Sequence, residues 1–94
     1  MVVGICTLEL ALPSNDSLKD KRSVLKPLAI RLRREFNVSV AEVGDQDTWR
    51  SATLAVAAVS NDQAYVHGLF EQVVKWVESS HLPVELEDWH VEMV

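Results

Sequence analysis

Four cations, Lys19, Arg22, Lys26 and Arg33, recur at spacings that gather them on one side of a helix. At 100° per residue they fall within an arc of about 60°. Such a stripe can track the phosphates of a nucleic-acid backbone. The bland alternative is the solvated face of an amphipathic helix, offsetting acid elsewhere. Charge along the chain is sorted. Nine Lys and Arg stand against 14 Asp and Glu, a net of −5. Residues 17–36 hold seven of the basic residues and only two acids, Asp20 and Glu35, so that segment is +5 and the remainder −10. Nucleic acid would be repelled by most of this surface, which would confine contact to the basic helix. Arg31 and Arg34 fall outside the arc and are expected to be plain surface.

Other reactive side chains form weaker patterns. Glu42, Asp45 and Asp47 flank or lie in a polar turn and could ligate a hard cation, but the twelve-residue EF-hand spacing is absent. A Gly44-led turn with local Asx hydrogen bonds is the simpler account. Asp88, His90 and Glu92 alternate and so share one face of a strand, an arrangement that rarely converges on a metal. His67 borders an apolar helix face, His81 lies in a loop, and neither has an evident partner. Cys6 alternates with Leu8 and Leu10, as a buried and inert thiol would. No Gly-rich phosphate loop, nucleophile elbow or paired-His motif occurs. A non-enzymatic chain without metal or cofactor is expected.

The elements that must position these residues follow from periodicity. The chain is organised around residues 37–60, where two runs rich in β-branched and small apolar residues flank the polar stretch 44–49. That pattern predicts an antiparallel hairpin with a long loop. Trp49, at the end of that loop, either covers the core edge or faces a partner. Residues 2–12 alternate as a strand. Ser17, with Asp20 three residues on, predicts an N-cap in an imperfect capping box. Leu18, Leu25, Leu28, Leu32 and Phe36 then recur at helical spacing, and Pro27 is expected to kink or split that helix. Ser60 and Gln63 form a second capping box ahead of Val66, Leu69, Phe70, Val73 and Val77. Gly68 falls on the opposite, exposed side of that helix. Residues 83–94 make a last strand whose apolar phase changes between Leu86 and Trp89, which predicts a bulge near Glu87-Asp88.

The order β-α-β-β-α-β predicts one α+β domain over residues 1–94, a ferredoxin-like sandwich with a four-stranded antiparallel sheet and both helices on one face. Strand order 4-1-3-2 suits the charges: the first strand carries only Glu9, and the last carries Glu85, Glu87, Asp88 and Glu92 as a charged edge. A lone cysteine excludes an internal disulfide. The first twelve residues lack a basic leader and are too short to span a bilayer, so a cytoplasmic protein with no membrane contact is expected.

The stretches SLKDKR (17–22), RLR (31–33) and FNVSVAEVGDQDTW (36–49) resemble the small bacterial YlxP-like family over essentially the whole chain. Residues 37–49 are the specific part. The resemblance implies a ferredoxin-like fold, a bacterial cytosolic protein, and genes neighbouring those of translation-initiation and ribosome-maturation factors. It brings no catalytic residues. Pro27 departs from the helix-compatible residue usual in the family.

The expected function is therefore a binding module that meets ribosomal RNA or a ribosome-linked factor through Lys19, Arg22, Lys26 and Arg33. One alternative is self-association as a homodimer through the open sheet face, where Val3, Ile5, Ala55, Ala57 and Val59 are expected, with Trp49 as a further partner contact. Another is a small-molecule regulatory domain. Single-strand readout across that sheet face is not expected, because its central positions, Val3, Ile5, Thr7, Thr53, Ala55 and Ala57, hold no aromatic residue.

Overall fold

A computed structural model describes residues 1–44 and 46–94. The elements run β1 (Val2–Ala11), α1 (Leu18–Glu35), β2 (Ser39–Glu42), β3 (Ser51–Ser60), α2 (Gln63–Ser79) and β4 (Glu85–Met93). All strands pair antiparallel in the order β2-β3-β1-β4, the ferredoxin-like arrangement. β1 and β3 are central and strictly alternating, with Cys6, Leu8, Leu10, Ala52, Leu54, Val56 and Ala58 buried towards the helices. Against them pack Val24, Leu25, Leu28 and Leu32 of α1 and Val66, Leu69, Phe70, Val73, Val74 and Val77 of α2. One core lies between sheet and helices. No described helix is long and apolar enough to cross a membrane.

The ends of the elements follow side-chain chemistry, with two departures from expectation. Ser17 caps α1, its Oγ accepting from Asp20 N–H at 3.1 Å. The return bond of the box is displaced by one residue, because the short Asp20 carboxylate accepts from Asp16 N–H at 2.9 Å. Ser60 does not cap α2. It still belongs to β3, opposite Val2, so Asp62 takes the role and accepts from the N–H groups of Ala64 and Tyr65. Pro27 does not split α1, which runs unbroken through it. Its ring lies on the outer side of the helix, where water can serve the Ser23 carbonyl that loses its donor.

β4 bulges where its apolar phase changes. The pairing with β1 shifts between Glu9 and Leu10 and passes over Glu87, so Leu86 and Trp89 both face the helices. Gly4 of β1 allows α2 to approach closely: a Cβ there would sit 2.5 Å from Val66 Cγ1 and 2.9 Å from Phe70 Cε2.

Candidate functional site

Helix α1 offers three sides, each with a different use of charge. Its inner side contains Lys21, which is only 2% exposed. Lys21 stands seven residues before Leu28 and eleven before Leu32, within about 20° of both, so it projects from the middle of the apolar face. Its Nζ meets Glu42 Oε2 of β2 at 2.7 Å and donates to the Thr48 carbonyl at 2.7 Å. The ammonium thereby ties α1 to both the edge strand and the loop of residues 43–50. Spacing alone held the signal for Lys21, a lysine centred in a leucine stripe, and the sequence reading passed over it.

A second set of bonds fixes the same loop. The buried Asn15 donates from Nδ2 to the Trp49 carbonyl at 3.2 Å, and Arg50 Nε donates to the Asn15 carbonyl at 2.9 Å. Arg50 also pairs with Asp16 at 3.3 Å, and Leu12 N–H donates to the Arg50 carbonyl. The turn before α1 and the hairpin loop thus form one polar clamp. Gly44, at φ 75°, starts the loop in the left-handed region that glycine tolerates. Asp45, one of the carboxylates considered for a cation, lies outside the described residues.

The side of α1 that faces β2 takes Arg33. Its Nη2 donates to the Val40 carbonyl at 2.7 Å, and Gln46 Nε2 reaches the Glu42 carbonyl at 3.4 Å. Residues 40 and 42 turn their backbone groups away from β3, so these side chains cover carbonyls of an edge strand that would otherwise template pairing with another chain. Arg33 thus bonds to β2 while still lining one depression with Arg22 and Lys26.

The outward side regroups the remaining cations. Arg22 and Lys26 share it with Arg31 and Arg34, around a shallow depression that includes Ser23, Pro27 and Ile30. Lys19 continues the same side towards the N-terminus, exposed like the other four. Arg31 and Arg34 are thus part of the cationic surface after all. By helical angle they lie outside the expected arc, and it is the depression around Pro27 and Ile30 that sets them beside Arg22 and Lys26.

The open sheet face carries the second group of expected residues. Ile5 and Ala57 are direct cross-strand partners, and Ala55 lies opposite Thr7. All are half-buried beneath no helix, and Val59 at the end of β3 is 64% exposed. This apolar area is bounded on β4 by Asp88, His90 and Glu92, which lie opposite Glu9, Thr7 and Ile5. Glu9 accepts from Thr53 Oγ1 at 2.8 Å. Trp49 is not part of this face. It lies in the loop beyond the other end of β3 and is 49% exposed. Cys6 is buried among the leucines of β1, and desolvation pushes its thiol up to about 11, which keeps it protonated and unreactive near neutral pH.

Comparison with known proteins places this geometry in a family. Residues 3–91 match the model of a protein family of unknown function, DUF503. The chain belongs to it. Its relative the uncharacterised protein YlxP of Bacillus subtilis (strain 168) is 35% identical over 78 residues, covering 83% of this chain and 85% of the relative. Within this DUF503 chain, the stretches that carry the YlxP resemblance contain all three residues of the Lys21 bridge: Lys21 in the first, Glu42 and Thr48 in the last.

Proposed function

We propose that this DUF503 protein is a non-enzymatic binding module that holds RNA through the outward side of α1. The observation that carries this reading is the gathering of Lys19, Arg22, Lys26, Arg31 and Arg34 on one exposed surface of a chain that is acidic elsewhere. Such a distribution steers a polyanion to one place and repels it from the rest. The gene neighbourhood implied by the YlxP resemblance points to RNA of the ribosome or of a ribosome-linked factor. Four phosphate contacts would give a log–log salt slope of about −3. Co-sedimentation with ribosomal subunits across a salt series tests this. Replacing Arg22 and Lys26 by Glu is expected to weaken association at least tenfold and to flatten the slope, with the fold retained because both side chains are exposed. Wild-type binding by the folded double variant would reduce the surface to solvated charge.

The exposed Val59 beside the half-buried Ile5, Ala55 and Ala57 favours a second reading, a homodimer through the open sheet face. Light scattering at tens of micromolar decides it: twice the chain mass supports the dimer and a monomer mass removes it.

A further inference from the structure

The outward side of α1 has an apolar floor as well as charge. Ile30 is 36% exposed at the centre of this side, and Pro27 lies beside it. By helical angle, Arg22 and Lys26 flank Ile30 on one side and Arg34 and Arg31 on the other. Among the described residues no carboxylate lines the depression. Cations alone suffice to grip the phosphates of a duplex, whose bases are stacked away from such a surface. A floor of aliphatic carbon between two pairs of cations fits a different polyanion, one that offers an unstacked base between flanking phosphates. Arginine planes add to this match, because they stack on bases as well as pairing with phosphates.

From this arrangement we infer that α1 selects single-stranded over double-stranded RNA, seating an unpaired base on Pro27 and Ile30 while Arg22, Lys26, Arg31 and Arg34 hold the adjoining phosphates. The inference rests on the RNA reading above and specifies which form of RNA the site takes. It also locates single-strand contact on a helix, where arginine planes and aliphatic carbon take the place of aromatic rings.

The test is fluorescence anisotropy with a labelled twelve-nucleotide single strand and the same sequence as a duplex, each over a salt series. Wild type is expected to bind the single strand at least fivefold more tightly. Ile30→Asn is expected to lower single-strand affinity about fivefold, the low end of what one stacked base contributes, while leaving duplex affinity and the salt slope unchanged. Ile30→Trp, with a larger flat surface, is expected to tighten single-strand binding. Circular dichroism confirms that each variant is folded, as substitution of an exposed helix residue should allow. Equal binding of both RNA forms, indifferent to Ile30 but salt-dependent, would overturn the inference and leave the RNA reading standing. Binding of neither form by folded wild type would remove both.

Discussion

The two βαβ halves of the sandwich share a topology and differ in what holds them. In the second half, α2 lies on the sheet through a continuous apolar surface, with Phe70 fully buried and Gly4 of β1 removing the one side chain that would keep the helix away. In the first half, α1 is fastened to a four-residue edge strand and a long loop by one ion pair and by side-chain bonds to carbonyls. The contrast shows how a short strand is retained. β2 pairs with β3 over only four residues and buries Val40, and Lys21 and Arg33 add bridges from it to α1. That use of cations on the inner and β2-facing sides leaves the other five cations of α1 exposed on its outer side.

The largest expected effect comes from breaking the Lys21 clamp on the wrong side. Lys21 is 2% exposed, whereas Glu42 is 27% exposed and can be hydrated. Glu42→Ala would leave a buried ammonium without its carboxylate. The cost is expected to be about 2–3 kcal/mol, below the range for fully buried pairs because Glu42 already reaches solvent. Lys21→Met keeps the apolar stem and removes the charge, and should cost only about 1 kcal/mol. Urea unfolding compares the two directly. If Glu42→Ala is no worse than Lys21→Met, the clamp is not held by buried charge.

The packed half has its own weak point. Gly4→Ala would drive a Cβ into Val66 and Phe70, and overpacking of this kind costs about 1–3 kcal/mol. The loss should be partly recovered in the Gly4→Ala, Val66→Ala double variant, which opens the space that the new methyl needs. Strictly additive unfolding energies would show that the two positions do not meet.

What could be foreseen from sequence divides along the same line. The packed half was legible because apolar phase is its cause: Leu86 and Trp89 change parity, and β4 bulges between them. The central strands and their burial followed from the same alternation, and the strand order from the β-α-β-β-α-β pattern and the charges of the strands. The clamp was not legible, because it depends on where long side chains end. Lys21 could be placed on the apolar face by spacing, but its bonds to Glu42 and Thr48 require the hairpin loop to fold back over α1. Arg33 was assigned to the cationic stripe by its helical angle, and its reach to the Val40 carbonyl has no sequence period. Ser60 looked like a cap because the motif is local, whereas pairing with Val2 extends the strand through it.

A smaller effect separates the cation that bonds to β2 from those of the exposed outer side. Arg33→Ala uncovers the Val40 carbonyl at the β2 edge and should cost about 1 kcal/mol, the net worth of one such hydrogen bond. Arg31→Ala, on the exposed outer side, should be neutral to within about 0.5 kcal/mol. Hydrogen exchange at the amides of β2 is expected to quicken in the first variant and not in the second. Equal protection in both would mean that Arg33 does not hold the edge.

The smallest effect should be a gain, and it tests whether α2 is as complete as its packing suggests. Gly68 lies within this helix, has no left-handed backbone angle to require glycine, and a Cβ there would meet nothing within 4 Å. Glycine in a helix interior costs up to about 1 kcal/mol relative to alanine, mostly through backbone entropy lost on folding. Gly68→Ala should therefore stabilise the protein by up to about 1 kcal/mol and raise Tm by about 4–8 °C per kcal/mol for a domain of this size. The same variant should leave the RNA binding proposed for α1 untouched, since the two helices present different surfaces. A lower Tm would show that the space beside Gly68 is filled in solution by something this chain does not supply, and a partner surface would then have to be sought on α2 as well.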